Sequence, residues 1–318
     1  MHLNRSKEYK SYKGKLVIRD LYDTVYVLDD FQESNQAVEI KLPTFRVGDC
    51  ETRMRCQNIW GSCNGVICIQ LFYSIEKESP LYLWNPSTTE YKEMPRLRTH
   101  PLGSGTAYGF GYNLDINDYE ILAVTCLEDP HSYRSAVDVY SVRNNRWRTF
   151  ADIPYETAGM TTSGVQSNSA FHWMGITSED RRSHGQCYYP LISYDPRNER
   201  CTEIPLPDME LIMGCDTIVQ KFGEKLCVLH DLNLWVMNEY GVKDSWTKLL
   251  SVEQVMSRKL MYYPLCSTEC GSMVMRGLDG SIILYDPEKK TDREIHFVPN
   301  VYEVIYCLES IVGVDINI

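Results

Sequence analysis

The sequence predicts an all-β chain whose repeated hairpins close into a six-bladed β-propeller, and three observations carry that expectation. Apolar runs are short, rich in Val, Ile and Tyr, and broken by Gly, Pro, Asn and Asp. One hairpin motif recurs along the chain, and helical periodicity is nearly absent. A mostly-β chain of 318 residues must be a sandwich pair, a large barrel or a propeller, so the repeat decides among them.

The repeat is read in chain order. Val25-Tyr26-Val27-Leu28-Asp29, with Val38, Ile40 and Pro43 downstream, is a degenerate first copy. Leu81-Tyr82-Leu83-Trp84-Asn85-Pro86 follows, with Tyr91 and Met94-Pro95, and then Val137-Asp138-Val139-Tyr140-Ser141 with Trp147. Leu191-Ile192-Ser193-Tyr194-Asp195-Pro196 leads to Cys201 and Ile204-Pro205. Leu234-Trp235-Val236-Met237-Asn238 precedes Trp246, and Ile283-Leu284-Tyr285-Asp286-Pro287 ends in Arg293-Glu294-Ile295. In each copy a strand runs into Asp, Asn or Ser, whose side chain can cap a tight turn; Pro then presets φ, and a return strand follows. The capping positions Asp29, Asn85, Ser141, Asp195, Asn238 and Asp286 are 56, 56, 54, 43 and 48 residues apart, close to the period of about 50 residues of kelch-type blades.

Further strands precede most hairpins. Gly65-Val66-Ile67-Cys68-Ile69, Tyr119 to Val124 behind Ala107 to Gly111, Ala170 to Met174, Lys225 to Leu229 and Ser272 to Met275 supply them, so four strands per unit can be drawn for most blades. The first unit has too few, while Val301 to Tyr306, followed by Ile311-Val312, has no hairpin after it. The expected solution is closure, with the C-terminal strand completing the first blade and removing a sheet edge. Seven blades is the alternative, if the two end segments form blades of their own. The one expected helix is brief, Ser251 to Arg258, opened by the capping-box shape Ser251-Val252-Glu253-Gln254. The recurring aromatics Trp84, Tyr140, Trp147, Tyr194, Trp235, Trp246 and Tyr285 are expected as wedges between blades.

Composition narrows the function. Lys plus Arg number 32 against 43 Asp plus Glu, a net charge of −11, the wrong sign for binding that works by neutralising phosphates. Nucleic acid is therefore not an expected partner, whereas a basic target protein is. No apolar run approaches the roughly 20 residues of a membrane span, and Met1 to Ser6 has no apolar leader, so neither a membrane nor export is expected. The 12 cysteines include no Cys-x2-Cys pair, and no His-x3–5-His occurs, which argues for reduced thiols in the cytoplasm, the nucleus or both.

The runs Gly61-Ser62-Cys63-Asn64-Gly65-Val66-Ile67, Leu83-Trp84-Asn85-Pro86-Ser87-Thr88, Gly109-Phe110-Gly111-Tyr112, Val137 to Ser141 with Trp147-Arg148, Ile192 to Asp195, and Leu234 to Val242 with Ser245-Trp246 occur in series. Together they resemble the plant F-box-associated domain, type 1, of the F-box and S-locus F-box-like proteins, from about Asn4 to about Val312. The resemblance implies a post-F-box linker at 1–14, a kelch-like propeller at 15–313 and a tail at 314–318. It also implies a non-catalytic, substrate-recognition subunit of a Skp1–cullin–F-box ubiquitin ligase, which directs targets to ubiquitination and proteasomal degradation. The F-box itself is not in this sequence, and His2-Leu3-Asn4-Arg5-Ser6 resembles the segment that follows it. The expectation is therefore a domain fragment, a mispredicted start or a paralogue without the box, with Skp1 and cullin as partners only where an F-box is present. The alternative reading is an interaction or decoy propeller with no ligase role.

Catalytic constellations do not emerge. Gly103-Ser104-Gly105-Thr106-Ala107-Tyr108-Gly109 leads into Tyr112-Asn113-Leu114-Asp115, a turn rather than the helix a phosphate loop requires. Asp115, Asn117, Asp118 and Glu120 lack the Gly and distal Glu of a calcium loop and fit a hairpin turn. The seven histidines are scattered, no Gly-x-Ser-x-Gly elbow is present, and Cys270 fits a strand-edge thiol. No catalytic residue, metal ligand or cofactor is expected. Binding remains. Leu71 to Pro80, Leu127 to Ala136 and Gly175 to Pro190 are long links at one topological position in consecutive units, where later units have short ones. Their Phe72, Tyr73, His131, Tyr133, Arg134, Arg181, Arg182, Tyr188 and Tyr189 are of types enriched at interface hot spots, and are the candidate partner-binding residues.

Overall fold

The recurring turn builds the molecule. In the computed structural model, Ser87 N–H donates to Asn85 Oδ1 at 2.8 Å, Arg197 N–H to Asp195 Oδ1 at 2.9 Å and Lys289 N–H to Asp286 Oδ1 at 3.0 Å, while Asn144 N–H donates to Ser141 Oγ at 3.1 Å. Each capping residue thus binds the backbone two or three residues on, holding the turn before the return strand pairs. Four residues after the cap the chain passes through the left-handed region, at Thr89 (φ 61°), Asn145 (50°), Glu199 (53°) and Lys290 (55°), and Asn117 (53°) does the same after Asn113. One turn geometry therefore recurs, whether or not Pro is present.

The structure describes residues 14–29, 37–42, 44–47, 50–72, 79–97, 105–127, 134–150, 152–157, 163–177, 189–208, 217–230, 233–251, 262–267, 272–277, 279–286, 289–295, 301–310 and 313–314. The chain divides into two compact units, residues 1–94 with 295–317 and residues 95–294 with 318.

In the first unit, β1 (Gly14–Asp20), β2 (Val25–Leu28) and β3 (Val38–Glu39) form blade 1. A separate two-stranded hairpin, β4 (Thr44–Val47) and β5 (Cys50–Arg53), follows. Blade 2 is β6 (Arg55–Cys63), β7 (Val66–Phe72), β8 (Leu81–Asn85) and β9 (Glu90–Glu93). In the second unit, blade 3 is β10 (Thr106–Asn113), β11 (Asp118–Cys126), β12 (Ser135–Ser141) and β13 (Arg146–Thr149). Blade 4 has its first position split between β14 (Tyr155–Thr157) and β15 (Val165–Ser167), both paired with β16 (Ala170–Thr177), then β17 (Leu191–Asp195) and β18 (Arg200–Ile204). Blade 5 is β19 (Ile218–Phe222), β20 (Lys225–His230), β21 (Asn233–Met237) and β22 (Trp246–Ser251). Blade 6 is β23 (Tyr262–Ser267), β24 (Met273–Gly277), β25 (Ile282–Asp286) and β26 (Thr291–Glu294). The strand pairings within each blade are antiparallel, and among the described residues six such blades are present, the all-β propeller class that the repeat predicts.

Closure is as expected from sequence. The last strand, β27 (Val301–Leu308), pairs with β1 from Gly14↔Leu308 to Asp20↔Val301 and takes the innermost place in blade 1. Ser62 Oγ–H donates to Tyr306 O at 2.6 Å and Asn85 Nδ2–H to Ser310 O at 3.0 Å, so the returning chain is also tied to blade 2.

The cores follow the repeat. The residue before each cap is buried in all six blades: Leu28, Trp84, Tyr140, Tyr194, Met237 and Tyr285. Its cross-strand neighbour packs on it, as in Trp84 on Tyr91 (5.5 Å, stacked) and Tyr140 on Trp147 (5.3 Å). Two of the expected wedges differ. Trp235 lies three residues before its cap and is half-buried under Lys248, whose ammonium is 5.2 Å from the ring. Trp147 is half-buried on the outer strand and donates its indole N–H to Pro95 O at 2.6 Å. Trp246 makes the equivalent bond to Pro205 O at 2.8 Å and is buried. The Met94-Pro95 and Ile204-Pro205 copies thus present acceptors for a Trp strap on the following outer strand.

Of the glycine-rich run, Thr106 to Gly111 is strand, with Gly105 just before it and Gly103 and Ser104 outside the described residues. Gly109 bridges in parallel to Gly164, and a Cβ on it would lie 2.8 Å from the Phe171 ring and 2.9 Å from Gly164 O. The glycines let neighbouring inner strands touch. Of the expected helix, Ser251 is the last residue of β22, and 252–258 lie outside the described residues; the helical turn Lys243–Ser245 closes the β21–β22 connection instead.

Candidate functional site

The two ends of each blade differ. At one end lie the tight connections 64–65, 86–89, 114–117, 142–145, 168–169, 196–199 and 223–224, together with the longer links 29–37 and 238–245. At the other end emerge the links between the second and third strands, 73–80, 127–134 and 178–190 among them, and the links from one blade to the next. The roots of these loops are pinned alike. Asp20 N–H donates to Thr24 O at 3.0 Å, Leu71 to Pro80 at 3.0 Å, Leu127 to Arg134 at 2.9 Å, Gly175 to Pro190 at 2.8 Å and Gly277 to Ser281 at 2.7 Å. The loops therefore leave blades 1, 2, 3, 4 and 6 from one register position, as the alignment of insertions requires.

At this end of the first unit lies an open depression of about 420 Å³, within the range of ligand sites. Phe72, at the end of β7, lines it together with Ser79 across the loop root. Gln70, behind them, fixes that wall: its Nε2–H donates to Ser79 O at 3.2 Å, and its Oε1 accepts from Trp60 Nε1–H at 3.2 Å and Asn58 Nδ2–H at 3.3 Å. The β1–β2 turn contributes Leu21 and Asp23. Asp20 Oδ1 clamps that turn by accepting from Tyr22 N–H at 2.8 Å and Thr24 N–H at 2.9 Å, and Asp23 adopts φ 63°, a conformation Asp tolerates better than most residues.

Two more lining residues, Gln57 and Tyr302, are bulge residues. On β6 the register passes from Cys56↔Leu71 to Asn58↔Gln70 and skips Gln57; on β27 it passes from Glu303↔Arg19 to Val301↔Asp20 and skips Tyr302. A bulge releases a side chain from strand alternation and re-aims it, and bulges gather beside functional sites. Between these residues Arg19 forms the floor. Its guanidinium donates to Asp23 Oδ1 and Glu303 Oε2, each at 3.1 Å, and lies 4.3 Å from the centroid of the Tyr302 ring. Glu303 Oε2 also accepts Ile59 N–H at 3.2 Å, which locks β27 to β6 below the depression.

The other candidates fall as follows. Arg134, at the far root of the 127–134 loop, is exposed and pairs with Asp152 at 3.3 Å. Tyr189 is half-buried and packs on the blade core around Met174, Leu191 and Val219. Tyr73, His131, Tyr133, Arg181, Arg182 and Tyr188 lie outside the described residues. Arg19, Asp23, Gln57 and Tyr302 escaped the sequence reading. The clamp Asp20-x-Tyr22-x-Thr24 was a usable signal for the turn; a bulge leaves none in a single sequence.

The remaining polar centres are occupied by structural partners. Asp115 pairs with Arg197; Asn117 accepts the Tyr112 hydroxyl; Asp118 accepts Arg143 N–H at 2.9 Å and the Ser141 hydroxyl; Glu120, buried, accepts Asn113 Nδ2–H at 3.0 Å. Burial raises the Glu120 carboxyl above its ordinary range, with Asn113 opposing. No cluster of three or more His, Cys, Asp or Glu side chains that could hold a metal occurs among the described residues. Burial pushes the Cys227 and Cys307 thiols up to about 12, far from thiolate nucleophiles at neutral pH. Cys270 lies outside the described residues. His172 is fully buried among blade partners.

Repeated antiparallel blades, with the returning C-terminal strand completing blade 1, define a β-propeller. The chain belongs to the F-box associated β-propeller domain family, whose model matches residues 16–312. An F-box/kelch-repeat protein of Arabidopsis thaliana is 29% identical over 209 residues, covering 60% of this chain and 52% of the relative. The F-box protein CPR1 of the same plant is 23% identical over 321 residues, covering 89% of this chain and 73% of CPR1. The chain thus spans about half the length of the first relative and about three quarters of the second. Among solved structures, TolB from Acinetobacter baumannii shares the fold at 12% identity and a TM-score of 0.54, over 93% of this chain and 67% of TolB. The hydrazine synthase of Kuenenia stuttgartiensis does so at 8% identity and a TM-score of 0.55, over 95% of this chain and 48% of that one.

Proposed function

We propose that this chain is the non-catalytic, target-recognition module of a Skp1–cullin–F-box ubiquitin ligase, acting in the cytoplasm, the nucleus or both. The observation that carries the reading is the depression at the loop end of blades 1 and 2, built from two strand bulges and a clamped turn in a family whose relatives are F-box proteins. The target lies across that end and is held for ubiquitination by machinery bound elsewhere on the full-length protein. Hydrogen-bonded walls support binding without large rearrangement, which limits the ordering cost of association.

The test is affinity capture of the full-length gene product under proteasome inhibition, beside a Tyr302→Ala, Gln57→Lys variant of equal thermal stability. A Skp1-type adaptor is expected in both eluates and the target in the wild type alone. An adaptor missing from both would sink the ligase role and leave an interaction propeller. Identical protein sets would place recognition elsewhere.

A further inference from the structure

We infer that the depression around Arg19 selects a basic side chain, Lys or Arg, presented beside an aliphatic or aromatic one on the target. The inference rests on the target-recognition reading above and specifies its chemistry. Exposure decides the sign. The Arg19 side chain is 6% exposed, whereas those of its carboxylate partners Asp23 and Glu303 are 25% and 28% exposed. The two carboxylates stand nearer the surface than the guanidinium beneath them, so the negative groups are the ones a partner meets. An anionic ligand would need the guanidinium, which is engaged by both carboxylates and covered by the Tyr302 ring.

The rim supplies the apolar half. Leu21 is 59% exposed and Tyr302 46%, with Phe72 beside them, so the methylene stem of a Lys or Arg and an adjacent apolar side chain have surface to cover. Aromatic side chains are enriched at such interface centres. The net charge of −11 adds long-range attraction of the same sign. The occupant is thus a protein segment, not a free anion or a nucleic acid.

Gln57 offers a test that leaves the ion-pair floor intact, because it is exposed and sits on the bulge at the rim. Phage-displayed random dodecapeptides are selected on the 318-residue chain, and enriched peptides are measured by fluorescence anisotropy on wild type, Gln57→Lys, Gln57→Glu, Tyr302→Ala and Leu249→Ala. Leu249 is an exposed control on β22, in the other unit. Expected are peptides with Arg or Lys next to an apolar residue, weakened about three- to tenfold by Gln57→Lys and tightened by Gln57→Glu, with both effects shrinking in high salt. Peptides that need Tyr302 but are acidic, or that tighten on Gln57→Lys, would refute the charge inference and leave the docking site standing. No enrichment, or binding indifferent to both Tyr302 and Gln57, would refute the docking site itself.

Discussion

Lowering the pH should unlock blade 4 through one histidine. His172 on β16 is fully buried, with Nδ1 3.1 Å from Val165 O and Nε2 2.7 Å from Tyr240 Oη, which is in turn 2.9 Å from Ser193 Oγ. A carbonyl only accepts, so Nδ1 carries the proton. Nε2 of the neutral ring then accepts the Tyr240 hydroxyl proton, and Ser193 donates to Tyr240. Burial, opposed by the bonds to Val165 and Ala170, lowers the His172 pKa to about 4. An unfolded imidazole titrates near 6.5, so between these values the unfolded state binds the extra proton. The stabilisation is complete above about 6.5 and lost as pH falls toward 4, a total of about 3 kcal/mol. Urea unfolding of wild type and His172→Gln, followed by tryptophan fluorescence from pH 7.5 to 4, isolates this contribution because other titrations, Glu120 included, are common to both. The wild-type advantage should shrink by about 3 kcal/mol across that window. A constant difference, or a ring that titrates near 6.5 in the folded protein by NMR, would refute the assigned proton order and the burial argument together.

Further outcomes are expected of the repeat. Trp246→Phe should cost about 1–2 kcal/mol because it strands a half-buried Pro205 carbonyl, whereas Trp147→Phe, beside an exposed Pro95, should cost below about 0.5 kcal/mol in the same urea assay; equal costs would deny that burial sets the strap's value. Gly109→Ala should destabilise by about 1–3 kcal/mol through collision with Phe171 and the Gly164 backbone. Gly223→Ala, with nothing within 4 Å but φ 59°, should show only the left-handed penalty of about 1 kcal/mol.

Much of this architecture was legible because turns are local. Asn85, Ser141, Asp195 and Asp286 bind backbone within three residues, so their spacing alone marks the blades. Closure was legible too, since blade 1 lacked a strand that Val301 to Tyr306 could supply. What escaped was non-local. The inner strands β6 and β19 carry mixed, half-exposed sequence, such as Arg55-Cys56-Gln57-Asn58 and Gln220-Lys221, and show no clean alternation. The aim of Gln57 and Tyr302 depends on bulges set by partner strands, and Arg19 reads as an ordinary strand residue until Glu303 is paired beside it from the far end of the chain. Phe72 lines the depression from a loop root, where an aromatic is visible in one dimension; Tyr189, of similar appearance, packs on its blade core through non-local strands that a single sequence does not show.

The most direct test of target recognition at the loop end is hydrogen exchange on the chain alone and with its captured target. Protection is expected at 19–24, 55–59 and 301–303, with no change in the opposite-end turns 86–89 and 142–145. Protection confined to those opposite-end turns would contradict the account.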